Sequence, residues 1–181
     1  MEAVIVLDMV KHFENKEHVK KIIPNIKSVL KAAQNANVSV IYVCDMHRPT
    51  DKLYFELSKY EPHCLIGTEA GEVIDELKPD KPDLIVRKRN LSGFHATDLE
   101  ITLRAMGIDR IILAGASTDG CILFTGVDGY QRYFRVTILN DCTSSARGSD
   151  WHEWALKLMR STMNIEVLSS KDAIKKYLKR G

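Results

Sequence analysis

Six short runs of β-branched and aliphatic residues punctuate the chain: AVIVL (3–7), VSVIYVC (38–44), DLIVR (83–87), RIILA (110–114), FRVTIL (134–139) and IEVL (165–168). Most are unbroken apolar runs rather than alternations of apolar and polar residues, which suits parallel strands buried on both faces. Between them, apolar residues recur at helical spacing. Ile26, Val29, Leu30 and Ala33 form one stripe behind Pro24, a residue at home in the first turn of a helix. TDLE at 97–100 reads as a capping box, with Thr97 capping, Glu100 reaching back and Gly107 closing that helix. Ser149 and Ser170 are expected to cap the last two helices.

Strand–helix alternation of this kind predicts an α/β fold of three layers, a mostly parallel sheet of six strands with helices on both faces. The 181 residues are enough for one domain with a sizeable core, and 1–181 is read as a single domain. One segment breaks the pattern. Residues 45–70 form a long connection with scattered aromatics and histidines, and loops of that length in compact domains are usually functional.

Composition narrows the classes. Hydrophobic content of 45% and charged content of 28% are ordinary for a soluble globular protein. With 26 basic against 24 acidic residues, the net charge of +2 gives no reason to propose nucleic acid or an anionic membrane as partner. The opening MEAVIVLDMV is too short an apolar run for a signal peptide or membrane span and carries Glu2, so a cytoplasmic protein is expected. Cys44, Cys64, Cys121 and Cys142 have no CxxC spacing, which argues against a zinc ribbon or a redox pair and for free thiols.

In a doubly wound sheet, ligands bind beyond the carboxyl ends of the strands. Asp8 follows the first run, Asp45 and His47 the second, Lys88 the third and Cys121 the fourth. One polar residue at a strand end is commonly a cap; four of complementary chemistry suggest a site. GASTDGC leads from the fourth strand into a helix expected over 120–131, so the thiol sits near a helix N-terminus. There the dipole and free N–H groups favour thiolate and could hold an oxyanion. Cys121 could instead be a small residue packing the junction, and neither a phosphate loop nor a GxGxxG fingerprint is present. Asp8 could serve as base toward the thiol, or simply cap its strand. Lys88 could pair with Asp8, or lie on the surface beside Arg87 and Arg89. Asp45 and His47, with His63 beyond, offer a carboxylate and two imidazoles, a donor set suited to Zn²⁺ or Fe²⁺. His12, His18, His95 and His152 are taken as structural or surface residues.

These segments together resemble the isochorismatase-like cysteine hydrolases, nicotinamidases and N-carbamoylsarcosine amidases among them. VIVLDMVKHF resembles the family's opening strand with its aspartate, VRKRNLSGFHATDLE the lysine segment, and GASTDGC the nucleophile turn. The resemblance spans nearly the whole chain and implies a sheet of order 3-2-1-4-5-6. It implies Asp8 as base, Lys88 as charged partner and Cys121 as nucleophile. The N–H groups of Thr118 and Cys121 would form the oxyanion hole, the Ser117–Thr118 peptide would be cis, and Phe13 and Phe94 would wall the pocket. CDMHRP and YEPHC resemble nicotinamidase, whose metal would map onto Asp45, His47 and His63. NDCTSSARGSDWHEWAL instead resembles N-carbamoylsarcosine amidase, with Arg147 nearest to an arginine that grips a substrate carboxylate.

The implied activity is hydrolysis of a small amide through a thioester, on an N-carbamoyl acid by preference or on nicotinamide as the alternative. A non-catalytic metal- or ligand-binding domain of the same fold is the reading from a different class. A small-molecule amide substrate, a bound Zn or Fe ion and a homo-oligomer are the expected partners.

Overall fold

Successive side chains of an extended strand point to opposite faces, and in the first strand both faces are apolar. A computed structural model describes residues 1–78 and 84–179. The strands are β1 (Glu2–Leu7), β2 (Ser39–Asp45), β3 (Leu84–Lys88), β4 (Arg110–Ala116), β5 (Arg135–Ser144) and β6 (Glu166–Leu168). Val4 and Val6 of β1 enter one apolar cluster, and Ala3, Ile5 and Leu7 enter the other. Truncating such a buried side chain, Ile5→Ala for instance, costs about 2–5 kcal/mol.

The strands form one parallel sheet in the order β3-β2-β1-β4-β5-β6, the order expected. The helices are α1 (Glu17–Lys20), α2 (Ile23–Ala36), α3 (Lys52–Ser58), α4 (Leu99–Ala105), α5 (Leu123–Gln131), α6 (Ser149–Met163) and α7 (Ser170–Tyr177). α2 and α7 cover the Val4 face, and α4, α5 and α6 cover the Ile5 face. Asp83, assigned to the third strand, lies outside the described residues. Among the described residues, no helix is long and apolar enough to cross a membrane.

Local chemistry places several ends differently from expectation. Ser169 rather than Ser170 caps α7, its hydroxyl accepting from the Asp172 N–H at 3.2 Å. Ser170 is engaged by Asp141, which accepts from its N–H at 2.7 Å and its hydroxyl at 2.6 Å. Gly148 stands at the N-cap of α6, and Ser149 is already the helix's first residue. Thr97 accepts from the Leu99 N–H at 3.3 Å, but Glu100 turns outward to the Arg132 guanidinium at 3.0 Å instead of closing a capping box. Gly107 ends the helix as expected, with φ +66°.

Two backbone features shape the sheet's carboxyl edge. Gly115 has φ +121°, and a Cβ there would collide with the Leu7 carbonyl, so only glycine lets β4 approach β1 this closely. β5 shifts register against β4 and continues past Asn140 and Asp141, pairing Thr143 with Gly115 and Ser144 with Ala116. The longer β5 delivers residues 145–147 to the nucleophile turn.

Candidate active site

Asp8 follows β1 with φ +51°, its N–H donating to the Val43 carbonyl at 2.9 Å. One carboxylate oxygen accepts from the Asp45 N–H at 2.9 Å. On the next pair of strands, Asp45 stands opposite Lys88 in register. The Lys88 ammonium, 1% exposed, is hydrogen-bonded to Asp45 Oδ1 and lies 2.8 Å from Asp8 Oδ2 and 3.4 Å from Cys121 Sγ. One buried cation therefore joins two carboxylates and the thiol.

Burial pushes the Asp8 carboxyl up to about 6; the Asp45 charge adds to this and Lys88 opposes it. Burial also acts to raise Asp45, but Lys88 and the His63 contact outweigh it and hold that carboxyl at about 2. Lys88 is kept charged by Asp8, Cys121 and Asp45 against its own burial. Cys121 is pushed well above the ordinary thiol value, by burial first and the Asp8 charge second. Both influences favour the thiol form, against the thiolate that a helix start alone would favour. The physical reason is that Thr118–Ile122 forms an irregular wide turn before α5, with Gly120 at φ −127° and ψ −110°, and the Cys121 side chain is largely buried beside the Asp8 carboxylate.

Asp45, His47 and His63 bring one donor atom each within 4.8 Å of one another. His47 is reached from the distant loop by a short bridge to Leu65, its N–H donating to the Cys64 carbonyl at 2.9 Å. Neither ring nitrogen of His47 makes a hydrogen bond although the residue is fully buried, and such orphaned nitrogens are costly unless they meet a ligand. His63 Nδ1 faces the Glu61 carbonyl at 2.8 Å. A carbonyl only accepts, so Nδ1 carries the hydrogen and Nε2 is left facing Asp45 Oδ2 at 3.6 Å. The donor set and the orphaned imidazole fit a divalent metal such as zinc. Tyr54 and Phe55 of α3 cover this cluster, their rings 4.7 and 4.9 Å from that of His47.

A cavity of about 740 Å³ is lined by Asp8, Asp45, His63 and Cys121, together with Phe13, Tyr54, Tyr60 and Arg147. Arg147 reaches it from the loop after β5; its Nε pairs with Asp119 Oδ2 at 2.6 Å, and its guanidinium lies 4.4 Å over the Trp151 ring. Among the described residues, its terminal nitrogens donate no hydrogen bond.

The family model for the isochorismatase domain matches residues 2–172. The chain belongs to the isochorismatase family. A nicotinamidase/pyrazinamidase from Bacillus subtilis superposes with a TM-score of 0.85 at 29% identity, covering 93% of this chain and 99% of that one. The N-carbamoylsarcosine amidase from Thermoplasma acidophilum gives a TM-score of 0.83 at 28% identity over 93% and 96% of the two chains. A pyrazinamidase of Pyrococcus horikoshii, solved in complex with zinc, gives 0.82 at 25% identity over 93% and 98%.

Two details differ from what this family likeness implied. The cis peptide is Ala116–Ser117, not Ser117–Thr118, and falls where β4 ends and the nucleophile turn begins. Phe94 does not wall the cavity. The Gly93 N–H donates to Thr125 Oγ1 at 2.9 Å, tying that segment to α5, and Phe94 packs in the core with its ring 5.6 Å from Phe134. Leu91 lines the cavity instead. His12 and His18, read from the sequence as structural or surface residues, also line it, and His12 stacks on His63 with ring centres 5.4 Å apart. The HF pair before the first helix was the one signal for His12 in the sequence. His152, likewise set aside, meets Thr118 of the nucleophile turn, a contact that no local pattern announces.

Proposed function

We propose that the protein is a cysteine amidohydrolase that cleaves a small amide or N-carbamoyl C–N bond through a thioester on Cys121. The observation that carries this reading is the single buried ammonium of Lys88 touching both the Asp8 carboxylate and the Cys121 sulfur beside a cavity. Asp8, raised to about 6, is closer in basicity to the thiol than an ordinary carboxylate. It accepts the thiol proton as the sulfur attacks the carbonyl carbon. Lys88 compensates the charge left in the buried site. The N–H groups of Thr118 and Cys121 meet the oxyanion. Asp8 returns the proton to the departing ammonia or amine, then takes one from the water that hydrolyses the thioester.

Asp45, His47 and His63 would hold the metal, which when bound supplies a Lewis acid to orient and polarise a substrate atom or water. Asp45 gives one oxygen to Lys88 and keeps the other toward His63, so the metal side and the thiol side share a carboxylate.

The favoured substrate class is an N-carbamoyl acid, since the free end of the Arg147 guanidinium suits a carboxylate. Nicotinamide is the alternative, favoured by the aromatic rings of Phe13 and Tyr54 along the cavity. A panel of N-carbamoyl amino acids, nicotinamide and isochorismate, assayed with wild type and Cys121→Ala, tests both. Ammonia release from one amide class, abolished by Cys121→Ala, is the expected outcome. Metal binding with no turnover of any member would favour a non-catalytic domain.

A further inference from the structure

We infer that His152 is a positioning residue for the nucleophile turn, acting on the reacting centre through Thr118. The inference rests on the amidohydrolase reading and extends it. The turn is held by wide backbone bonds rather than an α-helical ladder, the Leu123 N–H reaching back to the Thr118 carbonyl. The Ser117 carbonyl collects the N–H groups of Gly120 at 3.0 Å and Ile122 at 3.1 Å, and Gly120 departs from helical angles. Side chains therefore strap the turn from outside. Ser117 Oγ accepts from the Ala146 N–H at 3.1 Å and donates to Asp119 Oδ1 at 2.8 Å. Thr118 Oγ1, in a residue with no exposed surface, meets His152 Nδ1 at 2.8 Å.

His152 comes from the first turns of α6, a helix anchored in the core by Ala155, Leu156 and Met159. It does not line the cavity, so it touches no substrate. Burial lowers its basicity, which favours the neutral ring that accepts the Thr118 hydroxyl at Nδ1. Rotation about Thr118 would swing its N–H away from the developing oxyanion. Displacing such a donor by about 1 Å costs on the order of 10²-fold in rate.

The test compares wild type, His152→Leu, His152→Asn and Thr118→Val as full-length protein, with kcat expressed per titrated Cys121 thiol. The second probe is a carbon-bound aldehyde matched to the amide that the wild type hydrolyses: pyridine-3-carbaldehyde for nicotinamide, or –CH2–CHO in place of –NH–CO–NH2 for an N-carbamoyl acid. Its carbonyl carbon bonds to Cys121 sulfur, and the oxygen, protonated by the thiol's hydrogen, sits where the oxyanion would. The expected result for His152→Leu is a kcat lower by roughly 10- to 100-fold and a matching loss of aldehyde affinity. KM should change by less than about threefold and iodoacetamide alkylation of Cys121 should keep its rate, because ground-state binding and the nucleophile are intact. His152→Asn, which offers an amide near the Nδ1 position, should recover most of kcat. The His152→Leu/Thr118→Val double variant should lose no more than either single variant. If His152→Leu fails to fold, Thr118→Val must show the same paired loss. Unchanged kcat and aldehyde affinity, with only a lower melting temperature, would overturn the inference. A wild type that hydrolyses no amide and forms no adduct would overturn the amidohydrolase reading as well. Adduct formation with unaltered variants would overturn this inference alone.

Discussion

Asp8 and Asp45 stand at the ends of adjacent strands and share one lysine, yet their carboxyl groups move in opposite directions. Asp8 is carried up to about 6 by burial and the neighbouring carboxylate, whereas Asp45 is held at about 2 by Lys88 and His63 despite similar burial. The difference lies in the company each keeps. Asp8 has Lys88 and the neutral thiol beside it, whereas Asp45 has Lys88 and two imidazoles. A group near 6 can take and return a proton; one near 2 stays an anion and suits a metal. Sharing one cation lets the two roles sit side by side.

Asp8→Asn breaks the pair on its proton-transfer side. It should lower kcat/KM by about 10⁴-fold or more, as loss of the base does in comparable nucleophilic sites, while bound metal measured by elemental analysis stays unchanged. Activity within tenfold of wild type would show that Asp8 is not the base. Lys88→Met removes the shared cation and leaves two buried carboxylates facing each other. Urea unfolding should show a loss of roughly 3–5 kcal/mol, partly recovered in the Lys88→Met/Asp8→Asn double variant. An unchanged midpoint would mean the ion cluster contributes little to folding.

Asp45→Asn breaks the pair on its metal side. Affinity for Zn²⁺ in a competition titration should fall by about 100-fold, with Cys121 alkylation still measurable. Equal loss of metal on Asp8→Asn and Asp45→Asn would erase the distinction between the two carboxylates. The smallest effect is expected at the cavity rim. Arg147→Gln should raise KM for an N-carbamoyl acid by roughly 10-fold, about the value of one charge-assisted hydrogen bond, and leave KM for nicotinamide unchanged. Equal effects on both substrates would remove the case for carboxylate recognition.

Much of this arrangement was legible because parallel strands are short, doubly buried and end abruptly. Asp8, Asp45, Lys88 and Cys121 each follow an apolar run, and the strand order brings those ends together. Features that depend on register or on three-dimensional burial were not legible. The polar residues Asn140 and Asp141 look like a strand end, but β5 continues past them against β4. Phe94 is as apolar as Phe13, and nothing in its neighbours says that a hydrogen bond to Thr125 turns it into the core. A helix start favours a thiolate in isolation; only the packed turn reveals how far Cys121 is buried beside Asp8. The contact between Thr118 and His152 spans 34 positions and belongs to no short motif.

The central claim is that Cys121 carries the acyl group, activated by Asp8 beside Lys88. Intact-protein mass spectrometry after rapid acid quench of a reaction with the amide that the wild type hydrolyses tests it most directly. The account predicts a mass increase equal to the acyl portion of that substrate, mapped to the peptide containing Cys121 and absent from Cys121→Ala. Turnover by Cys121→Ala at the wild-type rate, with no adduct on either protein, would contradict it.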